Sequence, residues 1–151
     1  MTRATVTAAT VLMGLSAGLF TTFSYAVMPG LRRTDDTTFV QTMRAINIAI
    51  LNPVFGLIFV GAGIAAAAAV IAGWGSAARP WLLAGLLLYV AGAFIVTGAV
   101  NVPLNDALEA GTDSAARLRG AFEDRWVVSN YVRSVLTTAA FVSLVIGLGR
   151  L

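Results

Sequence analysis

Residues 45–78 read AINIAILNPVFGLIFVGAGIAAAAAVIAGWGSAA, a run of 34 residues without a charged side chain. Three further stretches, residues 4–28, 80–105 and 134–149, are also uncharged and mostly apolar. A helix of about 20 apolar residues crosses the hydrocarbon core of a bilayer. Backbone polar groups in lipid must be paired internally, which favours helices over isolated strands. The sequence therefore predicts an all-α integral membrane protein.

We predict four membrane-spanning helices, over about residues 5–28, 53–73, 81–100 and 129–149, in a single four-helix bundle domain. The fourth span must include Arg133, because residues 134–149 alone are too short to cross a bilayer. Pro29-Gly30 is predicted to end the first span, since proline interrupts a helix. Asn52-Pro53 is predicted to mark the bend at which the second span begins.

Nearly all charged residues lie in two longer connections, which join span one to span two and span three to span four. In the first, Thr34 or Asp35 is predicted to cap an amphipathic helix that begins near Asp36. In the second, an amphipathic helix is predicted to follow Gly111. Both connections lie on the same face of the membrane. The predicted fold is thus a membrane four-helix bundle with two amphipathic extramembrane helices on one side.

The composition restricts the possible chemistry. The chain contains no Cys and no His, which removes thiolate nucleophiles, the commonest metal ligand and the usual general base at neutral pH. We therefore predict no metal site and no cofactor. The formal net charge is only +3, and the basic residues are not clustered, so nucleic-acid binding is not predicted. The expected partners are the lipid bilayer and a lipophilic aromatic molecule, and oligomerisation remains open.

The first span is long for a signal peptide and has a poor cleavage site, so we predict that it is retained. All ten basic residues are Arg, which is typical of a GC-rich bacterial codon bias. Arg3, Arg79 and Arg150 lie without acidic residues on the side of the termini. We therefore predict a multi-pass protein of the inner or plasma membrane with cytoplasmic termini, although the Arg-rich long connections favour the reverse orientation.

Polar residues near the same ends of the four spans form the candidate site, because such residues at a membrane edge are costly. Arg133 and Asn130 are the predicted catalytic residues: a guanidinium stays charged and presents five donors, and Asn can orient a bound oxygen atom. The predicted substrate-binding residues are Asn47, Asn52, Asn101, Asn105, Trp126 and Tyr131. Alternatively, Arg133 extends to lipid phosphates and the Asn side chains only tie helix ends together.

Four motifs occur in order along the chain: FSYAVMPGL at 23–31, FVQTMRAINIAILNPVF at 39–55, NVPLN at 101–105 and WVVSNYVR at 126–133. Together they resemble the anthrone oxygenase-like membrane family, much of which is known only as a domain of unknown function. The resemblance covers nearly the whole chain. It implies a cofactor-independent enzyme that oxidises an anthrone to an anthraquinone with molecular oxygen.

The chain departs from the family pattern at two positions. Tyr131 stands where His is frequent, and Arg44 stands where Gln is frequent. Without that His, Asp106 and Glu109 remain as possible bases, and the resemblance implies that Arg133 and the Asn side chains stabilise an enolate. Two alternatives remain open, a non-catalytic protein that binds a lipid, quinone or protein partner, and a transporter, which the absence of acids within the spans disfavours.

Overall fold

A computed structural model describes all 151 residues and shows five helices and no strand. We label the helices in chain order. They are α1 (Thr2–Leu31), α2 (Asp36–Ala49), α3 (Pro53–Ala72), α4 (Arg79–Ala110) and α5 (Ala115–Leu148). Helices α1, α3, α4 and α5 are long and apolar enough to cross a membrane. The predicted all-α four-helix bundle is confirmed.

Small side chains let the long helices pack closely. Helix α1 packs between α3 and α5, and α4 packs against α5 and the turn-proximal part of α3. A side chain at Gly92 of α4 would bring its Cβ within 2.6 Å of Leu136 Cβ on α5, and one at Gly85 would collide with Leu144. These glycines fix the close approach of α4 and α5, which together form one wall of the site described below.

The first helix ends at Leu31, one residue after the Pro29-Gly30 pair that was predicted to end it, and Pro29 itself lies within the helix. Residues Phe23–Val27 form a wide π turn, in which the Met28 N–H donates to the Phe23 carbonyl. The α-helix restarts at Met28, so Pro29 occupies a first turn, where its missing N–H costs little. Helix α4 repeats this arrangement, with a π turn at Thr97–Asn101 followed by Pro103.

The second amphipathic segment was predicted to be a helix of its own, and this prediction is wrong. It forms the first turns of α5, which runs without interruption from Ala115 to Leu148. No proline interrupts the chain between the charged turns and the apolar turns. Its buried residues Phe122 and Trp126 pack with residues of α2 and α4 in a hydrophobic cluster separate from the core of the bundle.

Helix α2 is the amphipathic helix of the first long connection. Polar contacts cap its first turn and join it to the end of α4. Asp35 caps it, and hydrogen bonds from the Thr38 hydroxyl (2.6 Å) and backbone N–H (3.0 Å) lower the pKa of the Asp35 carboxyl. Arg44 donates from Nε to the Leu108 carbonyl (2.9 Å) and from Nη2 to the Gly111 carbonyl (2.6 Å), at the end of α4. Arg44 therefore anchors α2 over the polar end of the bundle.

Arg119 of α5 provides the other anchor. Its guanidinium donates to the carboxylates of Glu123 (2.6 Å) and Asp36 (3.1 Å). The same group also donates to the backbone carbonyls of Thr34 and Arg32, in the connection before α2. This cluster of charges holds α2 against the first turns of α5.

Candidate active site

A cavity of about 530 Å³ lies beneath α2, at the end of the bundle where the long connections emerge. This volume is in the range that holds a drug-sized ligand. All five helices contribute to its lining, and 10 of its 17 lining residues are hydrophobic. Of the predicted site residues, the cavity brings together Asn47, Asn101, Asn105, Trp126 and Arg133.

Three polar bridges between α4 and α5 form one wall of the cavity. Arg133 Nη1 donates to Thr97 Oγ1 at 3.2 Å, Asn101 Nδ2 donates to Ser129 Oγ at 2.8 Å, and Trp126 Nε1 donates to Asn105 Oδ1 at 2.9 Å. The three α4 residues are four positions apart, so they share a helix face. This common face exists because α4 continues as a helix through its π turn and Pro103.

Arg133 lies deepest of the polar residues on this wall and is only 6% exposed. Its guanidinium carbon is 4.5 Å from the Phe20 ring centroid and 5.3 Å from that of Trp126, so aromatic faces lie against the cation. Its polar partners are neutral, and it forms no ion pair, unlike Arg119. The side chain therefore lies inside the bundle and does not extend to lipid phosphates.

Asn130, which is 1% exposed, fixes the direction of this guanidinium. Asn130 Oδ1 accepts a hydrogen bond from Arg133 Nη2 at 2.8 Å. Its Nδ2 donates to the Phe20 carbonyl at 3.0 Å and to Ser24 Oγ at 2.8 Å, next to the π turn of α1. Because the carbonyl can only accept and the guanidinium can only donate, the amide orientation is determined. Asn130 thus joins α1 to Arg133 without lining the cavity itself.

Three buried side-chain polar atoms in the chain have no hydrogen-bond partner: Asn47 Nδ2, Asn101 Oδ1 and Arg133 Nε. All three belong to residues that line this one cavity. Leaving a buried polar group unpaired costs about 1–3 kcal/mol, and more for a charged group. The cavity therefore holds two unpaired donors, one of them cationic, and one unpaired acceptor, a set that suits a polar group on a mainly apolar ligand.

A family model described as anthrone oxygenase matches residues 43–143 of the chain. The matched segment includes the second half of α2 and every cavity-lining residue of α3, α4 and α5. The chain belongs to the anthrone oxygenase family. No curated protein and no solved structure matches it.

Two carboxylates also line the cavity of this anthrone oxygenase family member. Asp106 and Glu109 follow Asn105 on α4, and both line the cavity, where the sequence had left their position open. Both are exposed, and neither takes part in an ion pair. Cationic donors therefore lie at the inner end of the cavity and acidic acceptors at its outer end. No group of three acidic side chains could hold a metal ion.

Two predicted substrate-binding residues lie outside the cavity lining. Asn52 is exposed and caps α3, where its Oδ1 accepts from the Phe55 N–H at 3.0 Å and its Nδ2 donates to the Ala49 carbonyl. Tyr131, at the position where His is frequent in the anthrone oxygenase family, is half exposed and donates to the Ser24 carbonyl at 3.3 Å. Both residues join neighbouring segments of backbone.

The sequence interpretation missed three hydroxyl residues of the site. Thr97 on α4 accepts a hydrogen bond from Arg133, and Ser129 on α5 accepts one from Asn101. Ser24 accepts a hydrogen bond from the Asn130 amide. Thr97 had a detectable signal, since Thr97, Asn101, Asn105 and Glu109 follow a strict four-residue spacing. Ser24 lies in the motif FSYAVMPGL at 23–31, but no spacing connects it to Asn130, because their contact spans 106 positions.

Proposed function

We propose that this protein oxidises a lipophilic aromatic ketone of the anthrone type with molecular oxygen and without a bound cofactor. The observation that carries the proposal is the buried guanidinium of Arg133, which lies in a mainly apolar cavity with no carboxylate partner and with Nε free of any hydrogen bond. A positive charge that has no carboxylate partner is arranged to stabilise an anion. Membership of the anthrone oxygenase family supports a substrate that forms such an anion by losing a proton.

The proposed reaction begins when the methylene carbon opposite the ketone loses a proton, which leaves an enolate oxygen facing Arg133. The carbanionic carbon transfers an electron to O2 and then forms a C–O bond with it. The resulting peroxide takes up a proton to give a hydroperoxide. Loss of the remaining C–H proton and cleavage of the O–O bond yield a second ketone and one water. The substrate is oxidised, and O2 is the only oxidant required.

The residues of the cavity have separate parts in this scheme. The Arg133 guanidinium holds the enolate oxygen, and Asn130 keeps the guanidinium in place. The Asn47 amide offers a second donor, and Asn101 Oδ1 accepts from a hydroxyl group of the ligand. The Trp126 and Phe20 rings provide flat surfaces against an aromatic ligand. The carboxylates of Asp106 and Glu109 take the released proton at the outer end.

The test is oxygen uptake by the purified protein in lipid nanodiscs supplied with anthrone and 18O2. We expect a rate well above that of empty nanodiscs, with one 18O atom incorporated into the new ketone of the quinone. A rate equal to that of empty nanodiscs, with anthrone still bound, would instead indicate a binding protein without catalysis. Mass spectrometry of the extracted product measures the incorporated label.

We also propose that the protein lies in the plasma membrane of a bacterium with its termini in the cytoplasm. The terminal side carries Arg3, Arg79 and Arg150 and no acidic residue, which supports this orientation. Because the chain has no Cys, single cysteines introduced at Thr2 and at Thr112 report each side separately. We expect an impermeant maleimide to label intact spheroplasts at position 112 only. Labelling at position 2 only would show that the protein has the opposite orientation.

A further inference from the structure

The cavity has two unlike rims. On one rim the exposed lining residues are carboxylates, Asp106 and Glu109. On the other they are apolar: Leu51 is 77% exposed, Ile48 is 64% exposed and Val102 is 44% exposed. Exposed apolar side chains grouped at the mouth of a cavity mark a contact with lipid or with an apolar partner. Val102 and Asp106 are four positions apart on α4, so the acidic rim lies one turn farther from the centre of the bundle than the apolar rim.

The apolar rim lies where α3 and α4 no longer pack against each other. Their packing extends from the turn at Ser76 to the rings of Phe59 and Phe94, which meet edge to face with centroids 5.1 Å apart. Beyond this level, Thr97 and Asn101 bond to α5 instead. The space between α3 and α4 is there part of the cavity, lined by Phe55 on one side and Val102 on the other.

This gap lies at the edge of the hydrocarbon core. The 20 residues of α3 have a length of about 30 Å, which matches the thickness of the core, so Pro53 lies near its boundary. Helix α4 is antiparallel to α3 across a short turn, which places residues 98–102 at the same level. Flat amphipathic rings concentrate at this depth of a bilayer.

We propose that the gap between Leu51 and Val102 is a lateral portal, through which a flat lipophilic ligand enters the cavity directly from the bilayer. The acidic rim, one turn farther out along α4, is the part of the mouth at which protons leave to water. The portal rests on the proposed function, because it assumes that the ligand is a membrane-dissolved aromatic molecule. Its occupant is defined by the lining, which is apolar on both sides of the gap and carries the guanidinium of Arg133 at the inner end.

If the gap is a portal, a larger side chain at position 102 should slow the entry and exit of the ligand. Val102→Phe narrows the gap, so the association and dissociation rates of the ligand should both fall several-fold while Kd changes little. Val135→Phe is the matched control, because Val135 is 66% exposed on α5 and does not line the cavity. A residue that only contacts the bound ligand would instead change Kd, mostly through the dissociation rate.

The association and dissociation rates are measured by quenching of the fluorescence of Trp126, which lines the cavity. The background is Trp74→Phe with Trp81→Phe, which removes the other two of the three tryptophans. The quencher is a methyl-substituted anthraquinone dissolved in nanodisc lipid, mixed by stopped flow. Rates for Val102→Phe equal to those for Val135→Phe, with quenching intact, would overturn the portal alone. Absence of quenching in every variant would overturn both the proposed function and the portal.

Discussion

Replacing Arg133 by methionine is expected to lower kcat/KM for anthrone oxidation by about 10²- to 10³-fold, the usual effect of removing one donor to a developing oxyanion. The fold should survive, because Arg133 has no carboxylate partner that would be left as an unpaired buried charge. Methionine also fills much of the space of the Arg stem. Oxygen uptake in nanodiscs gives the rate, and thermal unfolding in the same lipid gives the stability.

Arg119→Met is the matched control on the same helix. Arg119 pairs with Glu123 and Asp36, so its loss leaves Asp36 without an ion-pair partner and Glu123 with only the longer contact to Arg32 Nε at 3.6 Å. We expect a clearly lower unfolding temperature but a nearly unchanged rate per folded molecule. Arg133→Lys retains the charge without the planar fork and should give an intermediate rate. Full turnover in a folded Arg133→Met protein would rule out the oxyanion role of Arg133.

Introducing a carboxylate at Thr97 should inactivate the site as effectively as removing the cation. Thr97 Oγ1 lies 3.2 Å from Arg133 Nη1, so the carboxylate of a Thr97→Asp variant can pair with the guanidinium. An ion pair there neutralises the charge that the enolate requires, and we expect a loss of about 10²-fold in kcat/KM. The measurement is again oxygen uptake with anthrone, at a pH at which the new carboxylate is ionised.

Thr97→Asn separates charge from shape in this experiment. Asparagine matches aspartate in size and in its low helix propensity, and it can accept the same hydrogen bond without neutralising Arg133. We expect Thr97→Asn to remain within several-fold of the wild-type rate. Equal losses for the Asp and Asn variants would show that packing at position 97, and not the charge of Arg133, controls the activity.

Hydrophobic patterning predicted the bundle because the lipid core imposes a minimum length on every crossing helix. The uncharged run at residues 45–78 could only be divided at Asn52-Pro53, and α3 does begin at Pro53. The pattern could not predict that Pro29 lies inside α1, because the π turn at Phe23–Val27 has no recognised signature in sequence. That turn moves Pro29 to a position that a helix tolerates, and the helix therefore continues to Leu31.

The polar residues of the site were predictable as a set, and their individual positions were not. Arg133, Asn101 and Trp126 were selected because polar groups at a membrane edge are costly, and the cavity does bring them together. Asn52 satisfied the same criterion, yet its side chain caps α3. Capping and ligand binding require the same donor and acceptor groups, so residue type alone cannot separate them. The separation depends on which side chains remain unpaired after folding.

The central claim is that Arg133 stabilises the enolate form of a bound anthrone. The most direct measurement is an anaerobic titration of anthrone in nanodiscs, followed by the absorption band of the enolate. We expect the bound anthrone to ionise at a lower pH in the wild-type protein than in empty nanodiscs, and this difference to disappear in Arg133→Met. The same titration midpoint in the wild-type protein and in Arg133→Met, with anthrone bound in both, would contradict the account.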